Sequence, residues 1–390
     1  MSTFSLSRPA RDRFFVAIAA LVLLAQEAIA APLNPSNFTS FGVLPPGDFT
    51  IDTDALTFNG SSGGVLVSQG GGAPDIAVFT FDGGSTLANG DAISVTGGNA
   101  LALLFQGSVI LSGTIDVSGA DGTDQAPGGF TGIGGLGIAG GGRGGNGGPF
   151  SFGQDGIGPG HGVAGSSSAA VSGAGSGAGA GFGTGGGNGG VGVTNRPGGL
   201  PYGDPLHDLL FAGSGGGGGG GASSGSQRLG GGGGAGGGAL EIGALTSLQL
   251  NGASILANGG HAGEGFTDGG GGSGGGILLH AFDVNLDPTA LIQANGGNGG
   301  SVTNTGGCGG AGRIELIHHP SGSFESLGTI EALAGSVNSV CADGEHVVTE
   351  STEVGVPEPS SLCIFFIASI VFTSPRRKPR GWQRRNTPKG

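Results

Sequence analysis

Tyrosine, tryptophan, methionine and lysine are nearly missing from this chain. One Tyr, one Trp and one Met occur in 390 residues, and both lysines, Lys378 and Lys389, lie near the C-terminus. Between Ala31 and Pro375 the only cations are Arg143, Arg196, Arg228 and Arg313, set against twenty-five acids. Such a body is repelled by phosphate backbones, which excludes nucleic acid as a partner. Its acids are thinly spread, as on a solvated surface. Helical periodicity is missing outside the two ends. A single compact core is not expected either, because glycine, at 97 residues, brings no side chain to bury and loses the most backbone entropy on folding.

What the middle does have is repetition. "GASILANGGHAGEG" from Gly252 matches "TALIQANGGNGGS" from Thr289, with Ile255 and Ile292 separated by 37 residues. "LGTIEALAGS" places Ile330 a further 38 residues on, and "VILSGTIDVSGADG" puts Ile115 in the equivalent position. Short apolar runs, marked by Leu240, Leu278 and Ile314, follow Gly-rich tracts at similar spacing. Repeats of this length mark stacked architectures. Two-residue alternation, as at Leu248 and Leu250 or Ile115 and Val117, is strand chemistry. The expected fold is all-β: a Gly-rich parallel β-helix or solenoid, each repeat supplying two or three strands and its glycine tract forming a loop that leaves the stack.

Residues 239–350 hold the repeats, and residues 31–119 read as the start of the same solenoid. Residues 120–238 read as a low-complexity insertion, parts of it a flexible linker. Collagen is excluded because Gly does not keep every third position. Within the insertion, "RPGGLPYGDPLHDLLFAG" from Arg196 has enough apolar content to cap the stack or dock on it.

The two ends read as addresses. Residues 1–30 carry a basic start, an apolar run from Phe14 to Ala25, and Ala28 and Ala30 in a small-x-small cleavage pattern, as in a secretory signal peptide cut after Ala30. Near the other end, in residues 356–385, Pro357-Glu358-Pro359 precedes an apolar run from Leu362 to Phe372. That run, roughly 13 residues with its flanks, makes one short C-terminal hydrophobic helix, below the ~20 residues that cross an ordinary bilayer. Arg376, Arg377, Lys378 and Arg380 follow and suit the cytoplasmic side.

This ordered triplet resembles the PEP-CTERM sorting signal of bacterial surface proteins, over about the last 35 residues. The resemblance implies an exosortase-like membrane protease as partner, membrane attachment through the C-terminal helix before processing, and cleavage near Pro357-Glu358-Pro359. It also implies a cell-envelope or extracellular destination and a host that makes exopolysaccharide. The segment "ALALLFQGSVILSGTIDVSGADG" resembles one found in Gly-rich secreted bacterial proteins, with no activity attached.

Chemistry-bearing residues are few. Cys308 and Cys341 are 33 residues apart, close to one repeat; they read as a candidate disulfide contributing about 3 kcal/mol, or as two free thiols. Cys363 lies in the apolar tail. Seven histidines are scattered without metal-ligand spacing. Asp121 and Asp124 are the nearest approach to a calcium loop, and a solvated turn is the plainer reading. Asn258 and Asn295 fit either a side-chain ladder or simple turns. Asp283, Asp287, Glu315, Glu325 and Glu331 are the acids a β-helix glycosidase or lyase would pair, but their spacing does not pair them. No catalytic, cofactor or metal site is expected. The expected role is structural, at the cell surface or in its matrix; the alternatives are a glycan-binding, adhesin or ice-binding module, and then a polysaccharide-degrading enzyme.

Overall fold

The computed structural model describes residues 32–351 apart from 127–128, 169–173, 191–195, 204–208, 224–227, 302–304, 337–340 and 345. The leader with Ala28 and Ala30, the Pro357-Glu358-Pro359 motif and the basic cluster from Arg376 to Arg380 therefore lie outside the described residues. Among the described residues, no helix is long and apolar enough to cross a membrane.

The chain enters through β1 (Phe49–Asp52), β2 (Thr57–Phe58), β3 (Ser61–Ser62) and β4 (Val65–Val67). It then repeats a three-strand unit. The units are β5 (Ile76–Phe81), β6 (Ser85–Leu87) and β7 (Ala92–Thr96); β8 (Ala100–Phe105), β9 (Val109–Leu111) and β10 (Thr114–Asp116); and β11 (Ala239–Ala244), β12 (Ser247–Leu250) and β13 (Ser254–Leu256). β14 (Gly276–Ala281), β15 (Asp283–Leu286) and β16 (Leu291–Gln293) follow, then β17 (Arg313–His318), β18 (Phe324–Ser326) and β19 (Thr329–Glu331), and last β20 (His346–Glu350). Each strand of a unit joins a different sheet. The sheets run β19-β16-β13-β10-β7-β1-β2-β3, β20-β17-β14-β11-β8-β5-β4 and β18-β15-β12-β9-β6. Every pairing is parallel except β1 with β2, β2 with β3 and β4 with β5.

Alternation explains the packing. Contrary to the expectation from glycine content, alternate residues of all three sheets, among them Phe79, Leu103, Ile242, Leu279, Leu111, Leu250, Ile115 and Ile255, fill one common core, because nearly all the glycines are segregated outside the strands. Ile115, Ile255, Ile292 and Ile330 stand in register across β10, β13, β16 and β19, as their spacing places them. The other spacing is corrected by one residue: Leu240 pairs with Ile277 and then Ile314, so Leu278 does not occupy the equivalent position. A one-residue slip reverses the face in a strand. Leu278 accordingly packs on the outer side of the β5-β8-β11 sheet, with Ile76, Val78, Ala102 and Leu104. Leu33, Phe38, Leu210 and Ala212 cover that outer side. It is thus buried on both faces, and β5, β8, β11 and β14 are buried along their whole length. The segment from Arg196 docks on this sheet through Leu210 and Ala212.

The glycine tracts are the main departure from the sequence reading. They neither leave the stack as loops nor run as linker in their described parts. They lie side by side as straight extended segments, and each segment's hydrogen bonds rotate through its neighbours every three residues. In residues 213–221, Gly215 and Gly218 donate to Ile157 and Gln154, Gly216 and Gly219 to Gly234 and Gly231, and Gly217 and Gly220 to Ala178 and Gly175. The same segment accepts from Gly145 and Gly148, from Gly162 and Gly165, and from Gly270. Residues 213–221 are therefore ringed by six segments: 141–148, 151–157, 160–168, 174–182, 229–238 and 267–275. A three-residue turn is the geometry of a polyproline-II helix, whose backbone groups point outward and need partners. Here the partners are neighbouring backbones.

Sterics explain why these positions are glycine. A Cβ added to Gly216 would lie 2.1 Å from the Gly270 carbonyl oxygen, and one on Gly217 would lie 2.3 Å from that of Val163. Residues 117–238 do interrupt the strand order, since β10 pairs with β13. Their segments nonetheless pack with those of residues 257–275 and 294–312 into one array.

Candidate interaction surface

One side of the array is an open row of three segments, 130–139, 141–148 and 151–157. Gly144 and Gly147 donate to Gly135 and Gly132, and Gln154 and Ile157 donate to Asn146 and Arg143, which fixes the row as a flat layer. On a segment with three residues per turn, every third side chain faces the same way. Phe130, Ile133 and Leu136 obey that spacing and are 68, 57 and 64 % exposed. Across the row, Ile157 is 60 % exposed, and Phe152, 58 % exposed, takes the spacing of Asp155 and so faces the adjoining segment 160–168. Between Ile157 and the apolar flank of Phe130, Ile133 and Leu136 lie Arg143 and Asn146, whose side chains bond at 3.3 Å. Asn146 Oδ1 also accepts the Gly134 N–H at 2.8 Å, so the middle of the row is tied to its flank. The Arg196 guanidinium lies 5.5 Å from the centre of the Phe152 ring. Exposed apolar side chains in a contiguous group mark interaction sites more often than scattered ones do. The sequence reading missed this surface; the three-residue spacing of Phe130, Ile133 and Leu136 was the available signal.

A second, polar face continues the sheet of β10, β13, β16 and β19. Ser118 Oγ accepts from Asn258 N–H at 3.0 Å, Asn258 Oδ1 from Asn295 N–H at 2.8 Å, and Asn295 Oδ1 from Leu333 N–H at 2.7 Å. One turn outward, Asp121 Oδ1 accepts from His261 N–H, His261 Nδ1 from Asn298 N–H, and Asn298 Oδ1 from Ser336 N–H. The ladder is real but differs from amide-to-amide stacking: each side chain receives the next segment's backbone N–H. Asp121 and Asp124 are absorbed in the same way, Asp124 Oδ1 accepting from Glu264 N–H at 2.7 Å. They cap segments rather than frame a calcium loop. Among the described residues, no group of three or more His, Cys, Asp or Glu could hold a metal ion.

The remaining candidates are dispersed. Asp283 accepts from Ser323 N–H and Oγ. Asp287 caps a turn, where donation from the Thr289 hydroxyl holds its carboxyl below the ordinary value. Glu315 is buried and accepts from the Thr349 hydroxyl, Glu325 is exposed on β18, and Glu331 accepts from Gln293 Nε2. Asp283 and Glu325 share the β15-β18 pair and Asp287 follows β15, while Glu315 and Glu331 lie on the other two sheets, so the five are spread over all three. His318 and His319 stack on Phe324 and Phe282 respectively. Cys308 and Cys341 are joined as a disulfide with their Cα atoms 6.5 Å apart.

A cavity of about 420 Å³ opens at one corner of the row, lined by Pro74, Arg143, Ile157, Tyr202 and Phe211 among mostly backbone surface. Tyr202 is held there by donation to the Ala212 carbonyl and by the Ser214 hydroxyl, and burial pushes its phenol far above the ordinary value. A buried phenol locked in this way serves packing.

No family model matches this chain, and neither a curated protein nor a solved structure is detectably similar to it.

Proposed function

We propose that this chain is an exported bacterial surface or matrix protein, with a structural role. In this reading its three parallel sheets wind as a β-helix, and the glycine array is a rigid platform for display. The observation that carries the proposal is the flat row of residues 130–157, where side chains are presented on a hydrogen-bonded backbone layer instead of on loops. A preorganised surface loses little freedom when it binds. The leader pattern, the tail resembling a PEP-CTERM signal and a disulfide suited to an oxidising compartment support the same destination. In this reading an exosortase-like protease cuts near Pro357-Glu358-Pro359 and frees the protein from its short C-terminal helix.

A glycan-binding role is the second reading, favoured by the composition of the row. Phe130 and Leu136 offer apolar faces to sugar rings, and Arg143, Asn146 and Gln154 offer polar groups to hydroxyls. Intact-mass analysis of membrane and medium fractions from the native host tests the first reading: the expected product starts near Ala31 and ends near Pro359. A membrane-bound product that retains Lys389 would refute sorting. Adsorption to the host's exopolysaccharide tests the second, with loss expected in a Phe130→Ser, Leu136→Ser double variant that still folds.

A further inference from the structure

Glu241, on β11, is fully buried on the outer side of its sheet, and its carboxylate is only half satisfied. Oε1 accepts the Leu33 N–H at 2.5 Å and lies 2.9 Å from His280 Nε2. Oε2 is buried with no hydrogen-bond partner. The pocket is built for the pair: a Cβ at Gly243 would lie 2.2 Å from His280 Nε2, so only glycine there leaves room for the ring. The segment that brings Leu33 in is itself fastened, since Gln106 Nε2 donates to the carbonyls of Pro35 and Phe38 at 3.3 and 2.7 Å. Leu33 is 1 % exposed.

Leu33 stands two residues after Ala31, the first residue once the leader is cut after Ala30. Two residues span at most about 7 Å, so an amino group at Ala31 is within the chain's reach of the unpartnered oxygen. Hydrolysis of the Ala30–Ala31 bond by a signal peptidase consumes one water. It leaves a carboxylate on Ala30 and turns a neutral amide N–H into an amine largely protonated at neutral pH. We propose that this new amino terminus docks on Glu241, its ammonium supplying the donor that Oε2 lacks. This rests on the leader reading. Removing the leader then adds a second contact beside the Leu33 bond that already holds this cover on the β5-β8-β11 sheet.

The test compares the full chain after Ala30, released from a cleavable fusion so that it begins at Ala31, with the same chain preceded by Gly-Ser and with its Nα-acetylated form. Each is made with Glu241 and with Glu241→Gln. The Ala31 form is expected to melt about 3 °C or more above the other two, with the gap closing in the Glu241→Gln background. Equal melting of the three forms, or a gap that persists in Glu241→Gln, overturns the proposal. Should Glu241→Gln fail to fold, amide exchange at Leu33 decides: its N–H is bonded to Glu241 in either form, so slower exchange is expected in the Ala31 form than in the extended one, and equal protection overturns the proposal. Terminal sequencing of the exported protein separates the two layers. A start other than Ala31 refutes the leader reading and the docking with it. A start at Ala31 without the stability gap refutes the docking alone.

Discussion

The strand body and the glycine array bury backbone by opposite means. In the body, Phe79, Leu103, Ile242 and Leu279 fill the interior, and parallel ladders satisfy the main chain at the edges of a side-chain core. In the array there is no side-chain core, and the interior is main chain bonded to main chain in six directions. The body is stabilised chiefly by apolar area removed from water. The array gains hydrogen bonds worth about 1 kcal/mol net each, against a backbone ordering cost of ~1–2 kcal/mol per residue. An isolated array of this kind would not hold together. It holds here because its segments are tethered to strands: the stretch from 257 to 275 runs between β13 and β14, and that from 294 to 312 between β16 and β17.

The two regions should fail in opposite ways, the array when a methyl group is added and the body when side-chain volume is removed. Adding one to the array, by Gly217→Ala, forces a Cβ to within 2.3 Å of the Val163 carbonyl oxygen, with no side chain nearby to give way. We expect a loss above about 4 kcal/mol, or failure to fold. Gly70→Ala is the control: its φ is +70° and nothing lies within 4 Å, so about 1 kcal/mol is expected. In the body the damage comes from removal. Leu279→Ala empties a fully buried position and should cost roughly 2–5 kcal/mol. Denaturant unfolding measures all three, and a mild Gly217→Ala would mean that the array is not close-packed.

The disulfide tests how the end of the array is held. Cys308 sits in the array beside 174–182, and Cys341 lies in the final turn before β20. Closing a loop of 33 residues should contribute about 3–4 kcal/mol. The Cys308→Ser, Cys341→Ser variant is expected to lose that much. Amide exchange should rise first at residues 305–312 and at β20, leaving β8 and β11 protected. Uniform exchange across the chain would show that the two regions unfold as one unit.

The body was legible because its signal is local. Ile115, Ile255, Ile292 and Ile330 each sit in a short alternating run, and recurrence at one spacing identifies stacking. Leu278 was misplaced because "GILLHA" offers three consecutive apolar residues, and periodicity cannot say which of them faces inward when both faces are buried. The array was not legible because glycine carries no pattern. "GSGGGGGGGASSG" has the composition of a linker, and the partners of Gly216 lie at Gly234 and Gly145, which no local window connects. The pairing of Glu241 with His280 was hidden for a related reason: it depends on Gly243 leaving space one strand away. The spacing of the acids already spoke against a glycosidase pair, but their capping roles stayed hidden, because a carboxylate that caps a turn looks the same in sequence as one that does chemistry.

The smallest expected effect separates acceptor from amide on the polar ladder. Asn258 Oδ1 accepts the Asn295 N–H at 2.8 Å, while its Nδ2 reaches Gln293 Oε1 only at 3.4 Å. If the side chain works as a substitute carbonyl, the oxygen is what matters. Asn258→Ala should then cost about 1 kcal/mol, mainly by leaving the Asn295 N–H without its partner. Asn258→Asp keeps the acceptor and should stay within a few tenths of wild type, as an aspartate does when it takes over a cap. Asp121 and Asp124 already hold that role one row away, toward His261 and Glu264. Equal losses for Ala and Asp would mean that the amide nitrogen, and so lateral bonding to Gln293, holds the row together.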